Sequence, residues 1–175
     1  NAIRLLKKSG FSLQGILNVY KVLEKNESLK KINPYLLTHP LSSERKKYVE
    51  FNLKDQKLKN FKNLENKFLL VKAKVHGFFL NDRDLQFLYP KKESIQSLYA
   101  YSLRYYKIGK IKDALLSIQK CINLDKKNPY FYELKGQILF ENGMINKSIV
   151  AFRKAKELKP DEKSFNLFLA KSLYH

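Results

Sequence analysis

The sequence predicts an all-α protein that ends in a superhelix of stacked helical hairpins. Residues 95–128 and 129–162 carry the same pattern at an offset of 34 residues (129 minus 95), a length that fits two helices with their turns. Upstream, residues 65–80 place large apolar side chains at the spacing of an α-helix. At 175 residues and 44% hydrophobic residues, the chain can bury a substantial core.

The first 53 residues predict three helices. We expect them over residues 2–8, over residues 12–24, and from Ser42 or Ser43 to about Leu53. Ser9, Gly10 and Phe11 interrupt the apolar pattern, and Ser12 is a typical helix-start residue. The polar composition of residues 25–33 indicates a loop.

Residues 54–94 predict a linker followed by a short capping hairpin. Residues 54–66 are rich in Lys and Asn, as linkers often are. The helix over residues 65–80 has an apolar stripe, formed by Phe68, Val71, Val75 and Phe78 or Phe79. We expect the polar run 81–84 to end this helix and an irregular segment to lead to Tyr89 and Pro90. The two parts together predict a degenerate hairpin that caps the repeats.

The two copies of the repeat agree at apolar, small and turn positions. The matched pairs are Leu98 with Tyr132, Gly109 with Gly143, Ala114 with Ser148, Ile118 with Phe152, Cys121 with Ala155, and Leu124 with Leu158. Glycine suits the turns, and small residues let two helices approach closely. The second copy adds Gly136 and Pro160, and a partial third copy covers residues 163–175. The pattern resembles the tetratricopeptide repeat (TPR), which implies a TPR-type α-α superhelix over residues 95–175.

The first helix of each hairpin in such a superhelix lines a concave surface. Mapping the repeat onto this geometry predicts a partner-binding face formed by Tyr99, Leu103, Tyr106, Lys107, Tyr130, Glu133, Gln137 and Phe140, with Asn166 or Leu167 beside them. Aromatic side chains among a few polar groups suit the capture of a peptide or protein. The alternative is that some of these tyrosines pack against another domain.

The net charge of +19 raises the possibility of a nucleic-acid partner. However, 30 of the 35 basic residues are lysine and five are arginine, whereas base and phosphate recognition draws heavily on arginine. The lysines are also spread along the whole chain. We therefore expect no specific nucleic acid, although weak contact with an anionic membrane surface is physically reasonable. A basic nucleic-acid-associated helical protein stays the less favoured alternative.

Residues 36–45 read Leu-Leu-Thr-His-Pro-Leu-Ser-Ser-Glu-Arg. They resemble the Leu-x-Thr-His-Pro…Arg stretch downstream of the catalytic helix in the M48 family of zinc metallopeptidases, of which some bacterial members continue into a TPR tail. The resemblance implies that residues 1–53 are the last helices and the Thr-His-Pro loop of a peptidase domain. It also implies a zinc-dependent endopeptidase in the periplasm or cell envelope, with any signal peptide ahead of Asn1.

The catalytic zinc motif of that family, His-Glu-x-x-His, is absent from these 175 residues. The three histidines are His39, His76 and His175, and no two have ligand spacing on a helix. The chain alone is therefore predicted to be inactive and to hold no zinc, which would belong to a preceding peptidase domain. A stand-alone TPR adaptor is the alternative to this interpretation.

His39 and Arg45 are the candidate residues near the active site of such an enzyme. Pro40 restricts the backbone of His39 to extended geometry. The resemblance suggests that His39 faces the metal, where it could add a further zinc ligand, whereas the alternative is that it supports the helix of Arg45. Arg45 could bind a group of the missing domain or pair locally with Glu24, Glu44 or Glu50. We expect His76 and Cys121 to have packing roles.

Overall fold

The computed structural model describes residues 2–30, 42–53, 57–59, 61–91 and 93–174. These residues form α-helices and no strands, so the predicted all-α class is confirmed. The chain divides into two compact units, residues 1–61 and residues 62–175. The first contains α1 (Ala2–Ser9), α2 (Gln14–Lys30) and α3 (Ser42–Leu53). The second contains α4 (Lys62–Phe79), α5 (Asp82–Leu88), α6 (Ile95–Lys107), α7 (Ile111–Leu124), α8 (Pro129–Glu141), α9 (Ile145–Leu158) and α10 (Lys163–Tyr174). None of these helices combines the length and apolar character needed to cross a membrane.

The first unit has a small core where α2 meets α3. Leu13, Leu17 and Val49 are buried there. The predicted break between α1 and α2 is confirmed, because Gly10 has a φ of 80°, which favours glycine. The carbonyl oxygen of Gly10 accepts a hydrogen bond from the backbone N–H of Lys59 at 3.1 Å, which places residues 57–59 beside this turn.

The predicted loop over residues 25–33 is wrong for residues 25–30, because α2 continues to Lys30. Two carboxylates on this part of the chain hold α3. Glu24 pairs with Lys46 at 2.6 Å, and Glu27 accepts hydrogen bonds from Ser42 through its backbone N–H (3.2 Å) and its hydroxyl (2.6 Å). An anion at the first turn of a helix interacts favourably with the helix dipole. The polar composition therefore reflects contacts between helices.

In the second unit, α4 packs closely on α6 with its small side chains. A Cβ atom added to Gly77 would lie 2.2 Å from the carbonyl oxygen of Ala100. Ala73, one turn earlier, is fully buried. The apolar stripe noted in the sequence is solvent-exposed, at 62% for Phe68 and 61% for Val71. The small residues Ala73 and Gly77 face α6 instead, because a close helix crossing excludes large side chains.

The boundaries of α4 and α5 differ from those predicted. Residues 62–66, assigned to the linker, are the first residues of α4. The run 81–84 does end α4, but it also starts α5, where the side chain of Asn81 accepts a hydrogen bond from the backbone N–H of Asp84 at 2.9 Å. Leu85 of this helix is fully buried. A helix cap thus replaces the predicted irregular segment.

The remaining helices form hairpins that repeat in their hydrogen bonds as well as in sequence. The backbone N–H of Lys110 donates to the carbonyl of Tyr105 (2.8 Å), and the N–H of Met144 donates to the carbonyl of Leu139 (2.9 Å), each pair 34 residues from its counterpart. The turn glycines, Gly109 and Gly143, have φ values of 77° and 72°. This geometry closes a helix at a left-handed residue, as the sequence predicts.

Side chains at the predicted repeat positions form the core of these hairpins. The buried members are Ala114, Ile118 and Cys121 in the first copy and Ser148, Phe152 and Ala155 in the second. A Cβ on Gly136 would lie 2.6 Å from the ring of Phe152, which confirms that a small residue is needed there. Helix α6 is buried over seven consecutive residues, 97–103, because α4, α7 and α8 all contact it.

Candidate functional site

Three of the residues predicted to line an open concave face are buried. Tyr99 is 3% exposed, Leu103 4% and Glu133 7%. The ring of Tyr99 packs edge-on against Phe131 with 5.1 Å between centroids. The prediction of exposure was wrong because α6 packs against other helices: Phe131 of α8 covers the ring of Tyr99, and α4 packs on α6 and brings Lys74 to Glu133.

A smaller strip of accessible side chains remains on these helices, which we call the inner strip. Its members are Phe78 and Phe79 of α4, Tyr106 and Lys107 of α6, and Gln137, Phe140 and Glu141 of α8. The ammonium group of Lys107 lies 4.7 Å from the centroid of the Phe78 ring, which is cation–π geometry, and donates a hydrogen bond to the Phe78 carbonyl at 2.7 Å. Phe79 is 72% exposed.

Two of the predicted residues in the inner strip, Tyr106 of α6 and Gln137 of α8, meet at Glu141. The hydroxyl of Tyr106 donates a hydrogen bond to one carboxylate oxygen of Glu141, and the Nε2 of Gln137 donates to the other at 3.1 Å. Sequence reasoning placed these side chains together correctly but missed Glu141 and the two phenylalanines of α4. Ala73 and Gly77, small residues one helical turn apart, were the available signal that the opposite side of α4 is exposed.

Glu133 places a carboxylate in the protein interior beside the inner strip. Its Oε2 lies 3.7 Å from the ammonium of Lys74, beyond hydrogen-bonding distance. Burial raises the pKa of Glu133, the charge of Lys74 lowers it by a smaller amount, and the charge of Glu162 raises it further. Lys74 and Glu133 therefore join α4 to α8 through an ion pair without a direct hydrogen bond.

Tyr130 lies in a separate polar cluster near the start of α8. The ammonium of Lys159 donates hydrogen bonds to the Tyr130 hydroxyl at 2.6 Å and to Glu162 at 2.7 Å. The bond to Glu162, and then that to Tyr130, raises the pKa of Lys159. Tyr130 stays 39% exposed, and the predicted neighbours Asn166 and Leu167 are exposed on α10.

Helices α7, α8 and α9 enclose a groove of about 890 Å³ that the sequence did not predict. We call it the lysine groove. Its lining residues are Lys112, Leu115, Leu116, Gln119, Tyr132, Lys135, Leu139, Met144, Lys147, Val150, Ala151 and Lys154. Four lysines surround a mainly apolar floor, and none of the lining residues is Asp or Glu.

Arg45 lies on α3 in the first unit and lines a pocket of about 310 Å³ together with Tyr20, Glu44 and Tyr48. Glu24, one of its expected local partners, pairs with Lys46 instead. In the part of the chain that the structure describes, Arg45 forms no ion pair. His39 and Pro40, the other candidates for this region, lie outside the described residues.

The predicted packing roles of His76 and Cys121 are confirmed. His76 is half-buried with Nδ1 3.1 Å from the Tyr89 hydroxyl, and its pKa is lowered by burial and then by the charge of Lys72. Cys121 is fully buried, which raises the pKa of its thiol to about 12. Across the described residues, no three His, Cys, Asp or Glu side chains converge as metal ligands. His175 lies outside the described residues.

Comparison with known proteins agrees with the repeated hairpins. The family model described as tetratricopeptide repeat matches residues 129–162, the segment that contains α8 and α9. No curated protein and no solved structure matches the chain. The matched segment coincides with the second predicted copy, whereas the metallopeptidase resemblance gains no support. Residues 129–162 are a tetratricopeptide repeat, a helical hairpin typical of modules that bind other proteins.

Proposed function

We propose that the chain is a protein-interaction module that binds a segment of another protein along the inner strip. The observation that carries the proposal is the tetratricopeptide repeat at residues 129–162, whose first helix supplies Gln137, Phe140 and Glu141 to the strip. Accessible aromatic rings beside hydrogen-bonding groups are the combination that anchors protein segments.

The inner strip offers both apolar area and paired charges. Phe79 and Phe78 are 72% and 44% exposed and pack edge-on against each other, so they form a contiguous apolar patch that favours an apolar partner group. The strip also carries opposite charges: the ammonium of Lys107 lies beside Phe78, and the carboxylate of Glu141 lies beside Tyr106 and Gln137. This mixture suits a polypeptide with apolar and polar side chains and disfavours a purely anionic ligand such as nucleic acid.

Site-specific photo-crosslinking in the native host tests this proposal. A benzophenone amino acid is introduced at Phe79 or Phe140, and a matched variant carries it at Lys126, an exposed position in the turn between α7 and α8. We expect defined protein adducts from the two strip positions and none from position 126. Adducts of equal amount at all three positions, or no adducts from the strip, would contradict the proposal.

We further propose that this module belongs to a zinc-dependent endopeptidase of the M48 type in the bacterial periplasm or envelope. The support is the Leu-Thr-His-Pro…Arg stretch at residues 37–45, with Arg45 lining a pocket and holding no ion pair among the described residues. His39 and Pro40 would form a gating loop near the active site. The zinc would be held by a preceding domain, since the described residues offer no ligand set.

The reading frame ahead of Asn1 tests this second proposal. It predicts a His-Glu-x-x-His motif there and, in the intact protein, an altered zinc affinity or proteolytic rate after His39→Ala. A frame without the motif would leave the stand-alone TPR adaptor as the explanation. Unchanged zinc binding and proteolysis in His39→Ala would remove the gating role alone.

A further inference from the structure

We propose that the lysine groove binds an acidic amphipathic helix of a partner protein. The groove is built by α7, α8 and α9, on residues that the inner strip does not use. The lysine groove is therefore a surface separate from the inner strip, and this proposal does not depend on the inner strip being a binding site.

The shape of the groove fits the apolar side of a helix. Leu115, Leu139 and Ala151 line its floor, while Leu116 and Val150 remain 63% and 67% exposed. Exposed apolar side chains on two neighbouring helices leave a furrow into which a third helix can insert residues spaced three and four apart. Covering these side chains would remove apolar area from water, which is the main favourable contribution to such binding.

The charge of the groove selects an acidic partner. Lys135 donates a hydrogen bond to the neutral side chain of Gln119 at 2.8 Å, and its burial lowers its pKa. Lys154 pairs with Glu157 at 2.7 Å, whereas Lys112 and Lys147 form no ion pair with any described residue. Three of the four lysines thus lack a carboxylate partner that a bound acidic helix could supply.

The inner strip provides a useful contrast, because it carries Glu141 and lies beside Glu133. The lysine groove has no acidic lining residue, so its charge is not simply that of every surface on this basic chain. A concave apolar floor favours a helix over a flat lipid bilayer. The absence of arginine and the presence of a single aromatic residue, Tyr132, disfavour RNA, which is usually bound by stacking and by guanidinium groups.

Fluorescence anisotropy with a designed peptide tests the proposal. The probe is a labelled peptide of about 18 residues with leucines at helical spacing and glutamates on both flanks. It is titrated with the full 175-residue chain, alongside a counterpart in which every glutamate is lysine. We expect saturable binding of the acidic peptide and none of the basic one.

Two matched pairs of variants locate the binding. Lys112→Glu with Lys147→Glu reverses two groove charges, and Lys126→Glu with Lys163→Glu makes the same change in net charge at exposed positions elsewhere. Reversing two favourable pairs should weaken binding by at least about tenfold, and the control by less than about threefold. Leu116→Ala should also weaken binding. Leu173→Ala, at an exposed leucine of α10, should not.

Lys107→Glu in the inner strip should leave the peptide titration unchanged, which separates this proposal from the first one. Circular dichroism confirms that each variant is folded. No binding up to about 100 μM, a range that covers weak peptide interactions, would overturn the proposal. Equal losses in the groove and control variants would do the same. A third contrary result is that the groove variant lowers binding to phosphatidylserine vesicles or to polyuridine while peptide binding persists.

Discussion

Replacing Gly77 with alanine tests the close approach of α4 and α6. The added Cβ would lie 2.2 Å from the carbonyl oxygen of Ala100, and 2.8 Å and 2.9 Å from its carbonyl carbon and Cα. Contacts shorter than 3.0 Å essentially do not occur for real Cβ atoms. Because the obstructing atoms belong to the backbone, no rotamer change relieves the clash. Helix α4 must therefore move away from α6 by at least 0.8 Å (3.0 minus 2.2).

Two opposing effects set the size of the change. Overpacking typically costs about 1–3 kcal/mol, and an obstacle made of backbone favours the upper end of that range. A gap of about 0.5–1 Å also forfeits a quarter to a half of the dispersion energy across the contact. Against this, alanine is more favourable than glycine in a helix by about 0.8–1.0 kcal/mol. We expect Gly77→Ala to lower the free energy of unfolding by about 2 kcal/mol.

Gly15 supplies the matched control, because a Cβ at that helical glycine would meet no atom within 4 Å. Gly15→Ala should stabilise by about 0.5–1 kcal/mol. Urea unfolding followed by circular dichroism measures both variants. Since the two glycines lie in different compact units, hydrogen exchange of α4 and α6 peptides assigns the loss to the second unit. Equal or greater stability for Gly77→Ala would refute the close approach.

Three further predictions test the interior of the second unit. Gly136→Ala should cost about 1–2 kcal/mol, less than Gly77→Ala because the Phe152 ring can shift, and Phe152→Leu in the same chain should reduce that cost in a double-mutant cycle. Burial raises the pKa of Glu133 above its usual 4.5, so the folded state holds this proton more tightly and the contribution to stability falls as pH rises through the raised pKa. The denaturation midpoint of the Glu133→Gln variant should therefore rise relative to that of the unsubstituted chain as the pH increases above about 4.5, and a constant difference would contradict this. The Cys121 thiol, with its pKa of about 12, should react with Ellman's reagent at the rate of unfolding in the native state, and a rapid reaction without urea would show that the site is open.

The repeated part of the fold could be predicted from sequence because its signals are local. The left-handed turns at Gly109 and Gly143 favour glycine, and position 136 has room only for a small residue. The residue types therefore indicate the same hairpins as the 34-residue period does. The boundaries of α4 and α5 were predicted less accurately than those of the repeat. Residues 62–66 are polar yet helical, and Asn81 serves as a cap for the following helix, which composition alone does not distinguish from a stop.

The candidate surfaces depend on contacts between distant parts of the sequence and were predicted only in part. Lys107 is exposed, as expected from the repeat, and Tyr106, Gln137 and Phe140 are half-buried. Tyr99 is buried because its ring packs on Phe131 of the next hairpin, and matching the two copies of the repeat does not show how closely they pack. The lysine groove was missed for a related reason: the sequence shows lysines spread along the chain, and only the packing of α7, α8 and α9 separates them from acidic residues.

The placement of α4 on α6 decides which surfaces remain open to partners, so it is the central claim. Hydrogen exchange of the native chain, followed by mass spectrometry along a series of urea concentrations, measures it most directly. We predict that amides of residues 70–79 and 97–103 are protected together and are released at the same urea concentration. Rapid exchange of residues 70–79 while residues 97–103 stay protected would contradict the account.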